Sequence, residues 1–146
     1  MRVCLLDLNY TLISNSRPGQ KSTKESREAE EYDTELLEML KEDFDEIILV
    51  TARPNFLRTK TLARIKSKIG YEFKATYFNG DYGIGPTRPN IFKAQVFAKI
   101  RDKYTPDTTF NGVESNPKTR SAYATLGVRS ASKPMYKQHR LELFDR

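Results

Sequence analysis

What most constrains this chain is the alternation of short apolar runs with segments of helical spacing, because parallel strands can be joined only through crossover elements. Val3-Cys4-Leu5-Leu6 reads as a strand buried on both faces, and Glu46-Ile47-Ile48-Leu49-Val50 as a second. Residues 73–78 predict a third strand, residues 108–113 a fourth, and Val128 opens a short fifth. Helical patterns separate them. Asp33 can cap a helix carrying Leu36, Leu37 and Leu40, and the spacing resumes at Leu62, Ile65 and Ile69 until Gly70 closes it in a left-handed conformation. Asn90 opens a helix with Phe92, Val96, Ile100 and Tyr104 on one face, and Asn116-Pro117 starts another that ends at Leu126-Gly127. The expectation is an α/β fold, a central parallel sheet between two helical layers, for which 146 residues suffice as one domain.

Three segments lack such a pattern. Residues 14–31 (SNSRPGQKSTKESREAEE) are polar and weakly apolar, so a mobile flap or loop is expected over 14–32 within a core of residues 1–130. Residues 79–89 are rich in glycine and proline and form a candidate substrate-facing loop. Residues 131–146 read as a basic tail without assigned structure.

Charge and cysteine content narrow the setting. Twenty-five Lys and Arg against nineteen Asp and Glu leave a net charge of +6, which favours a polyanionic or phosphate-bearing partner. The single cysteine, Cys4, excludes an internal disulfide and fits a reducing cytoplasm. No apolar run reaches the roughly 18 to 20 residues of a membrane span, so no membrane partner is expected. His139 reads as a surface residue and Cys4 as core packing, while Tyr71, Tyr77, Phe78 and Tyr82 could stack on bases but read first as core aromatics.

In an open parallel sheet, ligands bind beyond the carboxyl ends of the strands. Four places there hold chemistry: Asp7-Leu8-Asn9-Tyr10-Thr11 after the first strand, Thr51-Ala52-Arg53 after the second, Lys93 in the first turn of the helix after the third, and Glu114 after the fourth. They supply a carboxylate nucleophile, a hydroxyl, an ammonium and a second carboxylate. Singly, each is a common turn, cap or surface residue; in this order on four strand ends they form a pattern.

That pattern resembles the haloacid dehalogenase superfamily of phosphatases over residues 2–129. The family's Asp-x-Asp-x-Thr is matched by Asp7, Asn9 and Thr11, its strand-ending Ser or Thr by Thr51, its lysine by Lys93, and its acidic fourth motif by Glu114-Ser115-Asn116-Pro117. The resemblance implies a Rossmann-like three-layer sandwich and hydrolysis of a phosphomonoester through an aspartyl-phosphate on Asp7, with phosphoryl transfer to an acceptor other than water as an alternative. It implies Mg2+ held by Asp7, the Asn9 carbonyl and Glu114, with Thr51 bonded to a phosphoryl oxygen and Lys93 offsetting charge. Thr11, Arg53 and Arg88 are the candidate substrate-binding residues.

Two positions depart from the family. Asn9 stands where an Asp protonates the leaving group, and an amide has no such proton to give. A substitution made to trap substrate, a natural enzyme for good leaving groups, and a fold kept for binding are all compatible with it. Glu114 and Ser115 replace two aspartates, changing the reach and charge of the metal site. The motifs lie about forty residues apart, too close for a large cap domain once core elements are counted, so an open cleft is expected. Thr51-Ala52-Arg53 and the segment Phe92-Lys93-Ala94-Gln95-Val96-Phe97 add a looser similarity to the phosphatase half of polynucleotide kinase 3′-phosphatases. A nucleotide or nucleic-acid end would then be the substrate, with Lys21, Lys24, Arg53, Lys60 and Arg88 along its phosphates.

Overall fold

The computed structural model describes residues 1–17 and 19–145. Within them five strands, β1 (Arg2–Leu6), β2 (Glu46–Pro54), β3 (Ala75–Asn79), β4 (Thr109–Val113) and β5 (Arg129–Ala131), form one sheet in the order β3-β2-β1-β4-β5. Every pairing is parallel. Among the described residues six helices, α1 (Lys24–Glu28), α2 (Thr34–Asp43), α3 (Arg58–Ile69), α4 (Pro89–Arg101), α5 (Pro117–Thr125) and α6 (Lys133–His139), lie between or beyond the strands. The result is the expected Rossmann-like α/β sandwich.

The two-residue period of the strands divides the core into two layers. Cys4 and Leu6 of β1 pack with Leu36 and Leu40 of α2, Ile65 of α3 and Tyr136 of α6. Val3 and Leu5, on the opposite face, pack with Phe92, Val96 and Ile100 of α4 and Tyr123 of α5. Burial on both faces is why these strands carry unbroken apolar runs rather than alternating ones. Asp33 accepts from Leu36 N at the start of α2, Asn116 accepts from Lys118 N at the start of α5, and Gly70 ends α3 at φ 65°. These caps match their sequence signals.

Two of the three stretches without periodicity contain helices that the sequence pattern did not assign. The excursion after β1 is pinned where Ile13 forms an antiparallel bridge with Tyr32, and it contains α1, whose Thr23 and Ser26 exchange capping hydrogen bonds. Ile13 and Tyr32 are buried in the core, and between them polar contacts hold the excursion, such as Asn15 Nδ2 donating to Ala29 O at 2.9 Å. In the stretch 131–145, read from the sequence as a basic tail, Ala131 belongs to β5, and α6 with the turn Arg140–Leu143 docks against α2; Arg146 lies outside the described residues. Tyr136 and Phe144 enter the core, and Lys133, Lys137 and Arg140 pair with Asp33 and Asp43. The cations of this segment neutralise α2, so the composition that suggested a free tail is complementary charge. Smaller differences concern boundaries: β3 begins at Ala75, with Phe73 packed edge-on against Tyr71 before it, and α3 begins at Arg58.

Among the described residues no helix is long and apolar enough to cross a membrane.

Candidate active site

Strand register assembles the site. Leu6 pairs with Val113 on one side and Leu49 on the other, so Asp7, Glu114 and Thr51 emerge together at neighbouring strand ends. Asp7 N donates to Val113 O at 3.0 Å, which carries the β1–β4 ladder one residue further. The chain then reverses in a wide turn, Leu8–Leu12, closed by Ile13 N donating to Leu8 O at 2.9 Å. Tyr10 takes φ 62° to make that turn, a left-handed conformation that costs about 1 kcal/mol or more outside glycine. Its hydroxyl donates to Arg17 O at 3.0 Å, tying the turn to the loop that follows.

Asp7, Lys93 and Glu114 form a buried triad. The Lys93 ammonium, 2% exposed, donates to Asp7 Oδ1 at 2.8 Å and to Glu114 Oε1 at 2.5 Å. Asp7 Oδ2 accepts from Thr11 Oγ1 at 2.9 Å and Ser115 Oγ at 2.7 Å, and Glu114 Oε2 accepts from Asn116 N at 3.0 Å. Every carboxylate oxygen therefore has a donor, as burial of charge demands. Burial pushes the Asp7 carboxyl up, but the Lys93 charge and the hydrogen bonds from Lys93 and Ser115 outweigh it and hold the carboxyl below its usual range. Burial likewise opposes the charge on Lys93, yet its two carboxylates raise it above an ordinary lysine. Glu114 goes the other way: burial, joined by repulsion from Asp7, pushes it up to about 7 against the pull of Lys93.

That shift has a signed consequence for stability. Folded Glu114 binds a proton that the unfolded chain has already lost above its ordinary value of 4.5, so the contribution is full in acid and disappears as pH rises through about 7. Without added metal, the stability of the wild type is expected to fall across that window by on the order of 3 kcal/mol relative to Glu114→Gln. Urea melts at a series of pH values measure it, and parallel profiles for the two proteins would contradict it.

Arg53 has a different setting from the one its sequence position suggests. Its side chain is buried at the end of β2, where Nη1 and Nη2 donate to the two carboxylate oxygens of Glu30 at 3.0 and 2.5 Å. Nη2 also donates to Asn9 Oδ1 at 3.0 Å, and Nη1 to Thr61 Oγ1 at 3.1 Å. Sequence reasoning did not single out Glu30, which comes from the loop before α2 in a run of acidic residues. The available signal was indirect: an arginine two residues beyond a fully buried strand segment requires a counter-charge from elsewhere. Thr51 is buried at the same strand end, its Oγ1 accepting from Arg53 N at 3.1 Å. Arg88 is exposed at the N-cap of α4, and no hydrogen bond or ion pair joins its side chain to the triad. Ser115, noted in the sequence only as a replaced acid, is a direct partner of Asp7.

The donors available to a metal are all oxygens. Ser115 Oγ lies 2.7 Å from Asp7 Oδ2 and 3.3 Å from the Asn9 carbonyl oxygen, so these two converge, and Lys93 touches both Asp7 and Glu114. Among the described residues no group of three or more His, Cys, Asp or Glu gathers anywhere. Two carboxylates and one carbonyl fit a hard dication that keeps several waters, as magnesium does.

No protein-family model matches the chain, and no curated protein matches it. Among solved structures, a chain in "Structure of the Pnkp1/Rnl/Hen1 RNA repair complex" is similar, with a TM-score of 0.67 and 19% identity over 90% of this chain. The match spans 42% of that longer chain. The likeness supports the architecture: a Rossmann-like α/β sandwich, here with a lysine-bridged pair of carboxylates at its strand ends.

Proposed function

We propose that the chain is a magnesium-dependent phosphohydrolase that acts on a phosphomonoester through transient phosphorylation of Asp7, the ester being carried by a nucleotide or a nucleic-acid end. The observation that carries this reading is the Asp7 carboxylate itself, buried at a strand end and kept ionised by Lys93. An ionised carboxylate held in place is a ready oxygen nucleophile. Thr11 and Ser115 orient it, Lys93 offsets the charge that accumulates as the phosphate approaches, and the Thr51 hydroxyl donates to a phosphoryl oxygen. Magnesium held by Asp7, the Asn9 carbonyl and Glu114 would add positive charge that screens nucleophile from phosphate. The polyanionic substrate is supported by the net charge of +6 and by exposed Lys21, Lys60 and Arg88, which follow β1, β2 and β3 at the site end. It also accords with the RNA repair complex named for the similar structure.

Phosphate release from p-nitrophenyl phosphate and from a 3′-phosphorylated oligonucleotide tests the reading. Release should require magnesium and vanish in Asp7→Ala, and calorimetry should show magnesium affinity lost when Asp7→Ala and Glu114→Ala are combined. Release that survives Asp7→Ala rejects the assignment. Oligonucleotide affinity should fall roughly twentyfold between about 50 and 200 mM salt, the slope of about three neutralised phosphates on a single strand. Affinity indifferent to salt would remove nucleic acid as partner. Asn9 favours a second reading, a module that binds phosphorylated ends without turnover, which would show binding in the same assays and no release.

A further inference from the structure

We infer that Glu30 is a positioning residue that acts through Arg53 to fix the Asn9 side chain as a hydrogen-bond donor in the site; the inference rests on the phosphohydrolase reading for its kinetic arm. The Glu30–Arg53 contact is two-pronged, at 3.0 and 2.5 Å, with both residues buried. Such a fork fixes a guanidinium in direction as well as in place. Arg53 Nη2 then donates to Asn9 Oδ1 at 3.0 Å, which occupies the acceptor end of the carboxamide. A flipped amide would set its own N–H groups against those of the guanidinium. The end left over is Nδ2, which can donate but has no acceptor and no titratable proton.

Glu30 is what makes this arrangement affordable. Without it the buried guanidinium would keep only neutral partners, Asn9 and Thr61, and a buried charge so placed tends to move toward solvent or toward another anion. Glu30 is itself held: Arg64 Nη1 lies 3.5 Å from Oε1, and Lys68 donates to its backbone carbonyl. The loop between β1 and α2 thus contributes a residue to the site. A polar cavity of about 120 Å³ lies against it, lined among others by Asn9, Tyr10, Lys21, Ser26, Glu30 and Arg53. Glu30 is the one carboxyl among its described lining residues, and two arginines engage it. Arg53 therefore works on Asn9 rather than on the substrate's phosphate, and Asn9 steadies an oxygen without passing it a proton.

Hydrolysis of p-nitrophenyl phosphate with magnesium separates this from the alternatives. Glu30→Gln and Arg53→Lys should each lower kcat about tenfold with KM changed less than about twofold, the effect of a misdirected group rather than a lost binding contact. Added to Asn9→Ala, Glu30→Gln should lower kcat no further. In the 15N spectrum the Asn9 side-chain NH2 pair, assigned by its loss in Asn9→Ala, should move in Glu30→Gln. An equal kcat loss in the presence and absence of the Asn9 amide would overturn the inference, as would a KM raised about tenfold in Arg53→Lys or an unmoved NH2 pair. Absence of any wild-type turnover would count against the phosphohydrolase reading alone, and the NH2 pair would still decide the role of Glu30.

Discussion

Lys93→Met is expected to destabilise the fold by about 3 to 5 kcal/mol near neutral pH and by distinctly less in acid, the cost of leaving buried carboxylates without their cation. Methionine fills much the same volume, so the loss isolates the charge. Asp7 and Glu114 are 6% and 2% exposed, and each gives one oxygen to Lys93. Deprived of it, both carboxyls would be raised by burial and by each other, because the pull that now lowers Asp7 comes from Lys93. Groups raised in the folded state contribute fully below their unfolded values and cease to contribute as pH climbs through the folded ones. The deficit should therefore grow between about pH 5 and 8. Chemical melts of wild type and Lys93→Met at the two ends of that range measure it. A deficit below about 1 kcal/mol, or one independent of pH, would mean that the carboxylates have other adequate partners.

The parts of this molecule legible in the sequence are those governed by local pattern. Apolar runs such as Ile47-Ile48-Leu49-Val50 announce a strand buried on both faces, and Asp33, Gly70 and Asn116 mark helix ends through bonds made within a few residues. Once the strands are placed, parallel register alone brings Asp7 beside Glu114, which is why a site spread over more than 100 residues could be read from strand ends. The illegible parts depend on partners distant in the chain. Tyr136 and Phe144 are eight residues apart in a basic stretch, and their docking is directed by Asp33 and Asp43 on α2, about a hundred residues away. Glu30 is unremarkable among its acidic neighbours until Arg53 is seen buried against it. Hydrophobic periodicity records which face an element buries; it carries no record of which ion pairs close between elements.

Asn9→Asp is the substitution with the largest expected gain, on the order of a hundredfold or more in turnover of an alkyl phosphate such as a 3′-phosphorylated oligonucleotide, the usual worth of a general acid and base. The amide now in place gives Oδ1 to Arg53 and keeps only N–H donors, so a departing alkoxide would leave with its charge uncompensated by a proton. A carboxyl there can protonate the leaving oxygen and later take a proton from the attacking water. Arg53 would pull the new carboxyl toward its charged form, but Glu30 already neutralises that guanidinium through two hydrogen bonds, which limits the pull and leaves a proton available. Aryl esters depart without help, so the gain on p-nitrophenyl phosphate should be within about tenfold. Magnesium affinity should hardly change, because the donor assigned at this position is the backbone carbonyl. Comparing both proteins on both substrates thus separates a missing acid from a missing active site. Should Asn9→Asp stay inert on both while magnesium still binds, the triad of Asp7, Lys93 and Glu114 serves to hold phosphorylated ends, and the module that binds without turnover becomes the better account.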